Sequence, residues 1–255
     1  MVYQALFSYL SRSLQHAHHW LLPARCIACG DNGGLILGRS THAPLDLCES
    51  CYQQFPFNYH ACRGCSLPLS TATSELLCGQ CLRAPTPYQR SFCAFEYLYP
   101  IADLVRHYKY GDHVACARLL GELLADHLRS HHPLPWPECI IPVPLHTRRY
   151  QQRGYNQVIE IGRFLSSRLK LPLRPDVLQR IRATPEQASL TRTERQKNLR
   201  HAFRVVSPHP PAHVAILDDV ITTGSTVAEV ASTLRNSGVA QIEVWGVARA
   251  VIGHS

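Results

Sequence analysis

The second half of the chain alternates short apolar runs with stretches in which apolar residues return every three or four positions. Ile101–Tyr110 carries Leu104, Val105 and Tyr108 at such intervals, and Val114–His131 carries Leu119, Leu120, Leu123, Leu124 and Leu128. Both spacings predict helices with one buried face. Tyr155–Lys170, with Val158, Ile161, Phe164, Leu165 and Leu169, predicts a third. A fourth begins near Ser225, follows Val227, Val230, Ala231 and Leu234, and ends near Gly238, with Ser225 or Thr226 expected as its N-cap. The runs between them predict strands: the alternating aromatic Ser91–Leu98, Cys139–Val143 closed by Pro142 and Pro144, Ala202–Val206, Ala215–Asp219 and Val244–Val247. This order over residues 91–255 predicts an α/β domain, a mainly parallel sheet flanked by helices.

The front of the chain has no such rhythm. Residues 26–81 hold too few aliphatic side chains for a core of their own, but they hold eight of the 11 cysteines. These fall in four C-x-x-C pairs, Cys26/Cys29, Cys48/Cys51, Cys62/Cys65 and Cys78/Cys81. Each pair can turn two thiolates onto one ion, and two pairs complete a tetrahedral site. Two structural zinc ions are expected, and metal binding would supply the folding energy of the segment. Sequential sharing of the pairs closes the shortest loops; crossed sharing, a single zinc, an iron–sulfur cluster and redox dithiols are the alternatives. Short even pairing of this kind differs from a secreted disulfide framework and points to a reducing cytoplasm. Pro85 and Pro87 mark the exit. The expected division is a leader over 1–22, a short amphipathic helix rather than a signal peptide, then a double zinc ribbon over 23–87 and the α/β domain over 88–255.

Charge changes the picture in one place. Between Arg148 and Arg204 stand 14 Lys and Arg against four acids, a formal +10 where the whole chain carries +8. Such a surface attracts polyanions, whether nucleic acid or pyrophosphate. The absence of an uncharged apolar run of 18 residues argues against membrane insertion.

The stretch Ala215–Thr226 carries the most specific chemistry. An apolar strand runs into Asp218 and Asp219, then into the loop Thr222-Thr223-Gly224-Ser225-Thr226, then into a helix. Backbone N–H groups and a helix N-terminus make such a loop a phosphate cradle. Two carboxylates beside it repel phosphate but suit sugar hydroxyls or a magnesium ion. A second anion loop follows the strand at Cys139–Val143, where Arg148, Arg149 and Arg153 offer guanidinium forks. The polar stretch Arg180–Asn198, containing Arg195 and Lys197, has the composition of a flap that closes over a ligand. The Tyr108-Lys109-Tyr110-Gly111 corner joins a cation to aromatics, in packing or in stacking on a base.

The Asp218–Thr226 stretch resembles the phosphoribosyl pyrophosphate (PRPP) motif of type I phosphoribosyltransferases. Together with the four knuckles, the Tyr-Lys-Tyr-Gly corner, Arg153-Gly154-Tyr155-Asn156-Gln157 and the run through Gln187, Arg195, Asn198 and Phe203, it makes the chain resemble the ComF family of competence and DNA-utilisation proteins, near its GntX-like branch. The resemblance implies that Asp218 and Asp219 hold ribose hydroxyls and that Thr222, Thr223, Gly224, Ser225 and Thr226 hold the 5′-phosphate, with magnesium accompanying PRPP. It implies that Arg148, Arg149, Arg153, Arg195 and Lys197 meet pyrophosphate or DNA. Implied partners are PRPP or a related phosphosugar, single-stranded DNA and DNA-uptake or recombination proteins. If active, such a protein transfers ribose 5-phosphate from PRPP to an acceptor. Val2 follows Met1 where an amidophosphoribosyltransferase needs a cysteine, so glutamine hydrolysis is not expected.

Overall fold

The computed structural model describes residues 25–32, 34–38, 44–70, 76–110, 114–146, 150–151, 154–182 and 198–251. The leader, most of the polar flap, and the cations Arg148, Arg149, Arg153, Arg195 and Lys197 lie outside the described residues. The chain forms two compact units, Met1–Gln54 and Phe55–Ser255.

In the first unit, β1 (Leu35–Leu37) pairs antiparallel with β2 (Pro44–Cys48), and α1 (Glu49–Gln53) follows directly. Leu45 and Leu47 are its large buried aliphatics. Two such side chains are a thin core, as the composition of this segment suggests.

The second unit opens with the remaining cysteine pairs and α2 (Gly79–Arg83), then builds the sheet. β3 (Arg90–Glu96), β4 (Cys139–Pro142), β7 (His213–Ile221) and β8 (Gln241–Arg249) form a wholly parallel sheet in the order β3-β8-β7-β4. α3 (Ile101–Tyr110) and α4 (Val114–His131) carry the chain from β3 to β4, and α5 (Gln157–Leu169) follows β4. A small antiparallel ribbon, β5 (Leu178–Arg180) with β6 (Phe203–Val205), precedes β7, and α6 (Ser225–Asn236) links β7 to β8.

Helices cover both faces because side chains alternate along a strand. Val214 and Ile216 of β7 pack with Val227, Val230, Ala231 and Leu234 of α6. Leu217, of opposite parity, lies against Gly162 of α5, where an added Cβ would stand 3.2 Å from Leu217 Cδ2 and 2.8 Å from Leu173 Cδ1. Glycine at this point lets α5 approach the sheet, and Gly121 of α4 in turn approaches the backbone of α5.

The helices at 101–110 and 114–131 match the apolar spacing. α5 begins two residues later than the pattern suggests, because Asn156 caps it: its side-chain oxygen accepts from the Val158 N–H at 3.0 Å. β8 extends beyond Val244–Val247 at both ends, since its polar ends also pair with neighbours on both sides. β5 has no periodic signature, being three residues long.

Candidate functional site

The eight paired cysteines gather into two clusters, Cys26, Cys29, Cys48 and Cys51, and Cys62, Cys65, Cys78 and Cys81, which is the sequential arrangement. Within each, the four sulfurs lie within 4.8 Å of one another. Cys29 Sγ and Cys48 Sγ are 3.8 Å apart, and Cys65 Sγ and Cys78 Sγ 3.7 Å. A zinc ion with bonds of about 2.3 Å to sulfur needs tetrahedral edges of about 3.8 Å, so both clusters have the donor set and spacing of structural zinc sites. All eight thiols are free of disulfides. The Cys78 N–H donates to Cys62 Sγ at 3.2 Å. The Cys65 thiol, followed by this and other backbone N–H groups, holds Cys62 down to about 4, so the thiolate that zinc requires is favoured there.

The second cluster is sewn to the sheet. Ser66 Oγ donates to Ser91 Oγ at 2.9 Å, the Ser91 N–H donates to the Arg63 carbonyl at 2.8 Å, and Asn58 Nδ2 donates to the Ser66 carbonyl at 2.9 Å. Ser91 belongs to β3, so the knuckle rests on an edge strand.

Asp218 and Asp219 lie near the C-terminal end of β7. The strand continues through them to Ile221, so the two acids do not terminate it as the pattern suggests. Asp218 Oδ1 accepts from the Asp219 N–H at 2.9 Å, and Asp219 Oδ1 accepts from the Val220 N–H at 2.7 Å. Both are half-buried. The loop then turns through Gly224, whose φ of 75° is left-handed and costs a residue with a Cβ free energy.

The expected N-cap is corrected here. Gly224, not Ser225 or Thr226, caps α6, and Ser225 is the first helical residue, buried against the loop. The physical reason is that Thr223 reaches forward over the glycine turn. Its hydroxyl accepts from the Ser225 N–H at 3.3 Å and lies 2.9 Å from Ser225 Oγ. Thr222 is exposed and Thr226 half-buried. The loop thus brings together Asp218, Asp219 and Thr222 through Thr226, with a 12-residue helix opening behind them.

The neighbouring parallel strand β4 delivers the second loop to the same edge of the sheet. Asn156, at the far end of that loop, donates from Nδ2 to the Val143 carbonyl at 3.2 Å while capping α5. One amide therefore fixes where the loop returns. Tyr108 is buried, and its hydroxyl donates to the Gln157 carbonyl at 3.1 Å; the Tyr155 hydroxyl donates to the Tyr108 carbonyl at 2.8 Å. Tyr108 therefore packs rather than offering a face for a base.

Two features had no signal in the sequence. Arg249, the last residue of β8, is buried beneath the Thr222 end of the loop. The other is a groove of about 500 Å³ between β6 and α6, lined in part by Arg200, Arg204, Ser232 and Asn236. Neither of its two guanidinium groups has a hydrogen-bond or ion-pair partner among the described residues. Glu229 also lines the groove, with its carboxylate accepting the His201 N–H at 2.8 Å. Among the described residues no helix is long and apolar enough to cross a membrane.

Comparison with known proteins adds an independent line. Residues 17–82 match the family model described as a double zinc ribbon domain. The chain is similar to Competence protein F of Haemophilus influenzae, 34% identical over 235 residues that span 89% of this chain and 97% of that protein. It is similar to the DNA utilization protein YhgH of Escherichia coli K12, 36% identical over 206 residues, 80% of this chain and 90% of the relative. Competence protein ComFC of Streptococcus pneumoniae is 23% identical over 237 residues, 88% of this chain and all of its own length.

Proposed function

The chain belongs to the ComF family of competence and DNA-utilisation proteins, and from that premise we propose that it serves DNA uptake and utilisation in the cytoplasm, binding single-stranded DNA and PRPP or a related phosphosugar. The observation that carries the phosphosugar reading is the placement of two carboxylates beside a left-handed glycine loop at the N-terminus of α6. Carboxylates accept from vicinal ribose hydroxyls, and loop N–H groups with the helix dipole suit a phosphate. Asp218 and Asp219 also suit the hydrated magnesium that accompanies pyrophosphate. The DNA reading is supported by the names of the relatives, by the basic stretch from Arg148 to Arg204, and by the partnerless Arg200 and Arg204 in their groove.

Fluorescence anisotropy of a labelled single-stranded oligonucleotide across a salt series tests the DNA arm with zinc-loaded protein. Binding should weaken log-linearly with salt, and Arg200→Glu with Arg204→Glu should make the slope shallower by about 0.7 for each phosphate no longer neutralised. No binding even at low salt would sink that arm. Calorimetry with magnesium-PRPP tests the other, with Asp219→Asn expected to weaken binding about tenfold or more.

The same two acids and loop support a second reading, an active phosphoribosyltransferase that passes ribose 5-phosphate to an acceptor and releases pyrophosphate. Here positive groups around the leaving pyrophosphate would supply most of the acceleration. Pyrophosphate release in an acceptor screen, abolished by Asp219→Asn with zinc content unchanged, favours this reading. Binding without release favours the first.

A further inference from the structure

From the hydrogen bonds of one buried side chain we infer that Arg249 is a positioning residue that ties the second cysteine cluster to the phosphate loop, so that anion binding and zinc retention are coupled. The inference rests on the phosphosugar reading of the loop.

Arg249 ends β8 between β3 and β7, in register with Glu96 on one side and Ile221 on the other. Its residue exposure is only 7%. Nε donates to the carbonyl of Cys65, a thiolate residue of the second cluster, at 2.8 Å. Nη1 donates to the carbonyls of Ile221, at 3.0 Å, Thr222 and Ala250. One guanidinium therefore grips a zinc knuckle with one edge and the first residue of the phosphate loop with the other.

Two physical points give this grip a function. A planar fork with donors in fixed directions holds two backbone segments at a set separation, which a lysine ammonium on a flexible stem does not. The second point concerns charge. Every hydrogen bond of the Arg249 side chain among the described residues ends on a backbone carbonyl, and no ion pair among those residues includes it. A buried cation without a carboxylate partner is incompletely compensated. A phosphate in the adjacent loop supplies the missing negative charge. The cation in turn strengthens the anion site from behind, in a setting where charges are weakly screened.

The knuckle end is equally fixed. Ser66 carries a left-handed φ of 55° directly after Cys65, and its hydroxyl is held by Ser91 of β3. A zinc ion on Cys62, Cys65, Cys78 and Cys81 would hold the Cys65 carbonyl at one end of the grip. A phosphate would hold Thr222 at the other. Each ligand then lowers the cost of ordering Arg249 for the other, and the coupling must be reciprocal.

The test uses full-length, zinc-loaded protein and two readouts. The first is zinc release to a chromogenic chelator with and without magnesium-PRPP. The expected result in the unaltered protein is that PRPP slows one of two release phases by fivefold or more. Two unchanged phases in a protein that calorimetry shows to bind PRPP overturn the inference and leave the phosphosugar reading standing. A protein that binds no PRPP at all overturns both. The second readout compares Arg249→Gln and Arg249→Lys with the unaltered protein. Arg249→Gln should bind PRPP at least tenfold more weakly and lose the protection of zinc. Arg249→Lys should keep part of the affinity through its charge while losing protection, because the ammonium cannot span both carbonyl groups. Equal PRPP affinity and equal protection in folded Arg249→Gln overturn the inference. If Arg249→Gln does not fold, the release experiment on the unaltered protein and on Arg249→Lys decides.

Discussion

The two cysteine clusters obey one local rule and differ in what surrounds them. The first, Cys26, Cys29, Cys48 and Cys51, sits in the compact unit Met1–Gln54 with two short strands, and Cys29 is exposed. The second, Cys62, Cys65, Cys78 and Cys81, belongs to the unit that contains the sheet, and three of its four cysteines are buried. Hydrogen bonds from Ser66, Arg63 and Cys65 run into β3 and β8. The same C-x-x-C grammar thus makes a metal-dependent ribbon in one place and a structural part of the sheet in the other. A metal site takes its mechanical meaning from its attachments.

The sharpest way to break this comparison is to remove one ligand from each cluster. Cys62→Ser should lower the main calorimetric transition by several kcal/mol, at about 2–4 °C per kcal/mol for a domain of this size. Cys26→Ser should cost one zinc equivalent and leave that transition within about 2 °C. Equal shifts from the two substitutions would refute the distinction.

The next effect lies where the second ribbon segment meets α4. Tyr59 stacks near His127 and His131, whose rings are 4.5 Å apart. Burial, and then the charge of His131, pushes His127 down to about 4. Between about pH 4 and 6.5 the unfolded chain therefore binds a proton at this position that the folded chain refuses. Stability should fall as pH drops through that window and level off below it, by at most about 3 kcal/mol from this group. Urea midpoints from pH 7 to 4 measure this, and His127→Phe should flatten the curve.

A smaller effect is expected inside the sheet. Gly246 stands between Cys93 of β3 and Asp218 of β7 in register, and an added Cβ would sit 2.9 Å from Cys93 Sγ and 3.0 Å from Ile221 Cδ1. Gly246→Ala should cost about 1–3 kcal/mol by overpacking, read as a lower urea midpoint with zinc content unchanged. Smallest of all, Gly224→Ala meets no atom within 4 Å but strains a left-handed φ. It should cost about 1 kcal/mol of stability. Its main consequence should be weaker PRPP binding, since the loop would relax away from its turn.

Much of this molecule is legible in its sequence. α3 and α4 follow from apolar residues at helical spacing, the eight zinc ligands from four short pairs, and the phosphate loop from the continuous stretch Ala215–Thr226. Each is local chemistry, encoded within a few positions of itself. The N-cap of α6 departs from expectation because Ser225 is a good cap by residue type, whereas the left-handed turn at Gly224 moves that role one residue back.

Other features depend on which strands become neighbours. β8 lies between β3 and β7, so Arg249, 184 positions from Cys65, closes onto its carbonyl and onto Thr222 at once. No spacing in the chain encodes that meeting. An isolated arginine at the end of an apolar run reads as a solvated strand terminus. The presence of four C-x-x-C pairs was therefore determined by the sequence alone. That one cluster is built into the support of the phosphate loop was decided by strand order, because parallel pairing brings distant chain ends to one edge of the sheet.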